Sequence, residues 1–170
     1  VMSDIYLKNV SNIKNPKIGL LNIGAESTKG DELHREAYGL LKDSGLNFIG
    51  NIEARDMPKG GFDAVITDGF SGNIALKTME GTALMMFSEL KKAFYSSFKN
   101  KLAAAVLKSD LYGIKKMMDS SEVGGAPLLG VKKPVIKAHG SSDEKAIMNA
   151  VRQAVAFTEN DIIGKISDNI

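Results

Sequence analysis

Apolar positions along the chain switch between two habits. Short unbroken apolar runs alternate with stretches where apolar residues recur every three or four positions, and this alternation predicts an α/β fold. Ile18-Gly19-Leu20-Leu21-Asn22-Ile23, entered from Lys17 and stopped by Gly24, predicts a buried strand. Asp31 to Asp43 predicts a helix with Leu33, Ala37, Leu40 and Leu41 on its inner face and His34 at the surface. Gly45 stands where a C-terminal cap belongs. Phe48–Ile52 and Asp63–Thr67 are the next strands, parted by a Lys59-Gly60-Gly61 turn. Met79, Ala83, Met86, Leu90, Phe94 and Phe98 then form one helical stripe. Ala103, Leu107, Leu111, Ile114 and Met118 form a second, with the break near Asn100. Strands return at Pro127–Val131 and Pro134–Ala138. A final helix starts near Ser141 or Ser142 and carries Ala146, Ile147, Ala150, Val151, Ala154 and Val155 on one side. The expectation is one α/β unit over residues 1–170, a mostly parallel sheet flanked by helices, with a helical hairpin at 74–118 projecting from it.

Composition narrows the function. The 170 residues hold 44% apolar and 25% charged side chains, the balance of a soluble globular domain. No uncharged stretch exceeds nine residues, too short to span a bilayer, and the N-terminus has no secretory signature. With no cysteine there is no disulfide, thiolate nucleophile or Cys-ligated zinc, which is compatible with a reducing cytoplasm. A net charge of +2 exerts no global pull on nucleic acid. The charge is uneven, however: residues 91–118 hold seven lysines against a single acid, Asp110.

Three segments share a strand, a small-residue turn and a helix N-terminus. They are Asn22-Ile23-Gly24-Ala25-Glu26-Ser27, Thr67-Asp68-Gly69-Phe70-Ser71-Gly72-Asn73 and Ala138-His139-Gly140-Ser141-Ser142-Asp143. In a parallel sheet such turns gather at the carboxyl ends of the strands, where open α/β folds bind ligands. Glycines admit close approach, and free amides with the helix dipole favour an anion. The expectation is one shared phosphate-sized site built from Asn22, Gly24, Glu26, Asp68, Gly69, Ser71, Asn73, Gly140, Ser141 and Ser142. The plainer alternative is three capped strand-to-helix turns, Ser141-x-x-Glu144 being a good capping box. P-loop and dinucleotide fingerprints are absent, and Gly69-Phe70-Ser71-Gly72-Asn73 misses the nucleophile elbow at its last residue. The two histidines lack metal-ligand spacing, so no metal and no cofactor is expected. His139 closes a strand beside two serines, where a functional and a structural role compete.

The helical pair also has competing readings. Its methionines, phenylalanines and lysines suit packing within the chain, a subunit interface or a membrane surface.

Longer blocks carry a resemblance. Pro16–Glu26 with Lys29-Gly30, Phe62–Asn73, Gly124–Gly130 and Val135–Asp143 together resemble the bacterial PlsX family, the phosphate acyltransferases of phospholipid synthesis. The blocks run in the family's order over nearly the whole chain, while Ser120 and Val123 stand where many members carry tyrosine. The resemblance covers the C-terminal half of the family's chain, so the sequence is expected to be a fragment or domain of a larger enzyme. It implies a fold similar to the isocitrate/isopropylmalate dehydrogenases and phosphotransacetylases. It implies transfer of a fatty acyl group from acyl carrier protein to inorganic phosphate, giving acyl phosphate for a downstream acyltransferase. It also implies a homodimer, cytoplasmic and peripherally membrane-associated. Such a reaction needs no serine or cysteine nucleophile, because phosphate itself attacks the thioester. It needs an anion seat, an oxyanion stabiliser and a group to meet the departing thiolate. Glycine turns suit the first two, and His139 or Lys29 is the candidate for the third. Two alternatives remain: short-chain phosphate acetyl- or butyryltransfer on the same fold, and a non-catalytic membrane- or partner-docking module.

Overall fold

In a computed structural model of the chain, strand β1 (Ile18–Asn22) is buried along its whole length because it is the middle strand of its sheet. The structure describes residues 1–117, 122, 124–140 and 142–170; Met118, Ser120, Val123 and Ser141, named above, lie outside the described residues. β1 pairs in parallel with β2 (Phe48–Glu53) on one side and β3 (Ala64–Ile66) on the other, in the order β2-β1-β3. Ile18, Leu20 and Leu21 supply the apolar run that a doubly covered strand needs. Gly19 has no room for a side chain, since a Cβ there would run into Ile52 of β2. The register slips between Ile18 and Gly19, and Gly50 takes up the bulge at φ 96°.

Helix α2 (Glu32–Asp43) packs on β1 and β2, and Gly45 follows its end at φ 73°, as the sequence pattern predicts. Its inner face is one step round from the expected one. His34, Ala37, Tyr38 and Leu41 are half-buried, whereas Leu33 and Leu40 are exposed. Tyr38 meets Phe48 edge to face, ring centroids 5.1 Å apart, so an aromatic with a polar tip takes the position expected of leucine. A short 3-10 turn (Ala54–Lys59) then leads towards β3.

A second core lies among helices at the two ends of the chain. Ile5 of α1 (Met2–Asn9), Phe157 of α6 (Glu144–Glu159) and Ile162 and Ile166 of α7 (Ile162–Ser167) form its buried centre. Lys165 Nζ donates to Asn9 Oδ1 at 2.6 Å and ties α7 to α1. Neither α1 nor α7 is long enough to announce itself by periodicity. The returning strands are only two residues each, β4 (Ala126–Pro127) and β5 (Ile136–Lys137), joined antiparallel in a separate ribbon. Ala146 and Ala150 of α6 are buried, and Gly124 fits against the helix backbone there at φ 90°. Ile147, Val151 and Val155, expected on that same side, are exposed.

The stretch expected to hold two helices holds three. α3 (Gly69–Tyr95) is 27 residues long and begins directly after β3. Its end falls at Ser96, and Ser97 caps α4 (Phe98–Val106) by accepting from the Asn100 amide, slightly before the expected break. α5 (Lys108–Met117) follows after Leu107, where the expected second helix is interrupted. No residue of α3 or α4 is buried.

Candidate functional site

β1 and β3 are parallel neighbours, so the turns that leave their carboxyl ends emerge side by side. The β1–α2 turn is held from within by Asn22, which is buried. Its Oδ1 accepts from the Ile23 amide at 2.8 Å and its Nδ2 donates to the Lys29 carbonyl at 3.1 Å, pinning both ends of the turn. Gly30, at φ 89°, lies against the Asn22 amide and His34, where no side chain would fit. Gly24 lies beneath the Glu26 carboxylate and the stem of Lys29, so the two charged side chains fold over its backbone. The Glu26 carbonyl accepts from Asn51 Nδ2 of β2 at 2.8 Å and from the Lys29 amide at 3.1 Å. Asn51 Oδ1 is buried and has no hydrogen-bond partner among the described residues.

The two turns are joined by His34. Its Nδ1 lies 2.6 Å from Asp31 Oδ1, the cap of α2, and its Nε2 lies 4.0 Å from Asp68 Oδ2, the cap of α3. The hydrogen bond from the His34 side chain is the main cause that lowers the Asp31 pKa below its ordinary value. Asp68 is also lowered, first by the Ser71 amide, then by the Ser71 hydroxyl, with the Phe70 amide adding less. Arg35 Nη1 donates to the Gly30 carbonyl at 2.7 Å and brings a guanidinium to the same turn.

The helix N-termini differ from the expected open cradles. Asp31 accepts from the His34 amide, Asp68 from the Phe70 and Ser71 amides at 2.8 Å, and Asp143 from the Ala146 amide. Each of these helices therefore places an aspartate at its own N-terminus, where it takes one or two of the first-turn amides. Positive charge for an anion comes instead from Lys29 and Arg35 around the Gly24 and Gly30 backbone.

Among the expected site residues, Asn22, Gly24, Glu26 and Lys29 share one turn, and Asp68, Gly69 and Ser71 stand beside it through His34. Asn73 is exposed within the early part of α3. His139, Gly140 and Ser142 belong to the turn after β5, whose strand pairs with β4 rather than with the parallel sheet. The third turn therefore does not leave a strand of the sheet that carries the other two. Ser141 lies outside the described residues, and the α6 cap is Asp143 rather than a serine. His34 was expected at the surface; its i,i+3 spacing from Asp31 was the one signal that could have placed it in the site. Among the described residues no group of three His, Cys, Asp or Glu could hold a metal.

The comparisons with known proteins agree with the blocks that carry the resemblance. The sequence profile of the family described as "Fatty acid synthesis protein" matches residues 1–165. The chain is 58% identical, over 98% of its length, to a phosphate acyltransferase of Geobacillus thermodenitrificans (strain NG80-2). It is 55% identical over its full length to one of Geobacillus sp. (strain WCH70), and 52% identical over its full length to one of Lysinibacillus sphaericus (strain C3-41). It covers 51–52% of each, so the chain spans about half the length of the curated relatives it matches. A match along nearly the whole chain, with relatives more than half identical throughout, establishes that the chain belongs to the fatty acid synthesis protein family.

Proposed function

We propose that the chain supplies half of an active site that transfers a fatty acyl group from acyl carrier protein to inorganic phosphate, producing acyl phosphate for phospholipid synthesis. The observation that carries this reading is 58% identity, over nearly the whole chain, to a protein named phosphate acyltransferase. In this reading the whole protein has the fold of the isocitrate/isopropylmalate dehydrogenases and phosphotransacetylases, and the parallel β2-β1-β3 sheet with its two adjacent turns supports it.

The chemistry follows from the turn. A phosphate oxygen attacks the thioester carbonyl, the C–S bond breaks, and the departing thiolate takes a proton. Lys29, folded over Gly24, supplies the charge that seats phosphate, with Arg35 behind the Gly30 carbonyl. Asn22 acts by positioning, since both of its polar atoms hold the turn. Glu26, Asp68, Gly69, Ser71 and Asn73 border the seat, and Gly140, Ser141 and Ser142 belong to it if the third turn closes on the first two. Lys29 and His139 are the groups able to give the thiolate its proton, and replacing each separately assigns the step. No cofactor or metal is needed for these bonds to form and break.

The same reading makes the whole protein a cytoplasmic homodimer that rests on the membrane and passes its product to a downstream acyltransferase. Its support is the helical arm, which exposes Leu84, Met85, Phe98 and Val106 next to a lysine-rich segment. Among the described residues no helix is long and apolar enough to cross a membrane.

The test measures acyl phosphate made from phosphate with palmitoyl-acyl carrier protein, acetyl-CoA or butyryl-CoA. It uses this chain alone and this chain joined to the other half of a relative. Turnover of the carrier-protein thioester by the joined protein, with the chain alone weak or inert, is the expected result. Preference for acetyl- or butyryl-CoA assigns the short-chain reaction, and no turnover in either form makes the chain a docking module.

A further inference from the structure

Lys29, whose stem lies over Gly24, has its peptide held on both sides. Its carbonyl accepts from Asn22 Nδ2 at 3.1 Å, and its amide donates to the Glu26 carbonyl, also at 3.1 Å. The first hold comes from β1. The second reaches back to β2, because the Glu26 carbonyl also accepts from Asn51 Nδ2 at 2.8 Å. The sequence pattern does not single out Asn51, which sits inside a strand and belongs to no glycine turn.

Strand packing gives Asn51 no reason to be there. Asparagine is depleted in strands, where β-branched and aromatic residues fit better. A carbonyl can only accept, so the side-chain amide must turn its nitrogen to Glu26 and its oxygen away. That oxygen, Oδ1, is buried and has no donor among the described residues, which costs stability instead of adding it. The strand is also bent just before this residue. Ile18 pairs with Phe48 and Gly19 with Gly50, so Ile49 is the extra residue of a bulge. Bulges of this kind re-aim the side chains beside them. Among the described residues the Asn51 side chain makes one hydrogen bond, and it goes to the turn that carries Lys29.

We propose that Asn51 is a positioning residue for the phosphate seat, fixing the Lys29 backbone through the Glu26 carbonyl. Lys29 is then clamped from two neighbouring strands, by Asn22 at its carbonyl and by Asn51 through the partner of its amide. The pairing of β1 with β2 sets the spacing of the clamps, since Leu20 opposes Asn51 and Asn22 opposes Glu53. A clamped backbone leaves only the lysine side chain to be ordered around an anion, which lowers the entropy lost on binding. The part played in phosphate binding rests on the proposed function; the hold on Lys29 does not.

The test compares Asn51→Val, a good strand residue without the donor, and Asn51→Asp, which keeps the shape and loses the donor. The Glu26 carbonyl keeps the Lys29 amide in both, so no backbone acceptor is stranded. Solvent exchange of the Lys29 amide, read by NMR on this chain, should be about tenfold faster in both variants, with the β1 amides unchanged. Asn51→Val should melt no lower than the parent. In this chain joined to the other half of a relative, both variants should raise KM for phosphate about tenfold and leave KM for palmitoyl-acyl carrier protein unchanged. Unchanged exchange at Lys29 overturns the proposal. A rise in both KM values with a lower melting temperature also overturns it, because that is a purely structural role. Faster exchange with an unchanged KM for phosphate removes Asn51 from the seat. A joined parent that does not turn over removes the seat and the proposed function together, while faster Lys29 exchange in the variants still establishes the clamp.

Discussion

His34 Nε2 on α2 stands 4.0 Å from Asp68 Oδ2 at the head of α3. The two residues start different helices after different strands, and only the pairing of β1 with β3 brings them together. Because His34 also contacts Asp31, one imidazole spans the caps of both helices. A cation, Arg35, and the stem of Lys29 lie on the same turn. The arrangement brings the two turns side by side at the carboxyl ends of β1 and β3.

The cap at Asp68 sets a pH signature. Its pKa is lowered in the folded chain, chiefly by the Ser71 amide, so the ionised form is the one folding favours. The stabilisation is therefore complete above the unfolded value of about 3.9 and is lost as pH falls through the lower folded value. Asp68→Ala should melt a few degrees below the parent at pH 7, and the gap should close in acid. Thermal melts of both proteins between pH 7 and pH 3 check this, and a gap that widens in acid contradicts it.

Asn22 should matter for positioning more than for stability. Asn22→Ala removes the bonds to Ile23 N and Lys29 O from a buried position, which should cost about 1–3 kcal/mol. Lys29 is then free to drift, and if it seats phosphate as proposed, its misplacement should lower acyl-phosphate formation by about a hundredfold. Steady-state kinetics of the chain joined to the other half of a relative, with phosphate varied, read both kcat and KM. A stability loss with unchanged turnover would separate Asn22 from the site.

Phe157 is 2% exposed in the core where α1, α6 and α7 meet. Phe157→Ala should destabilise the chain by about 3–5 kcal/mol, through lost burial and the cavity left behind. Urea titration followed by circular dichroism measures it. Leu40→Ala, at an exposed position on α2, should change stability by less than about 0.5 kcal/mol.

The arm should prefer anionic membranes. Phe98 is 76% exposed. Phe98→Asp should weaken sedimentation with phosphatidylglycerol vesicles, and raising salt should weaken it for the parent as well. Oligomeric state measured in parallel tells a membrane contact from a subunit interface: loss of dimer with vesicle binding intact favours the interface. A Phe94→Asp variant that changes neither property would place the stripe in packing within its own chain.

Much of this molecule is legible along the chain because its signals are local. The β1 run, a helix starting at Asp31, Gly45 after α2 and a long helix through Met79 to Phe94 depend on neighbours a few residues away and appear where the pattern puts them, whereas Phe98, placed on the same stripe, falls in α4. The long family blocks are equally a property of the chain alone, and they name the family without any coordinates.

Tertiary structure decided what depends on which surfaces meet. Both Leu40 and Tyr38 satisfy a helical period on α2, and only the approach of Phe48 selects Tyr38 for the inside. His34 joins the site because β1 and β3 are neighbours, a long-range pairing that no local period encodes. The third turn shows the reverse: its sequence resembles the other two, yet β5 pairs with β4 and not with the parallel sheet. Aspartates at the helix starts read equally as anion-site residues or as caps, and their distances of 2.8–3.0 Å to their own helix amides make them caps. Local chemistry specifies what each segment can become, and hydrogen bonding between distant segments chooses which of those possibilities faces the site.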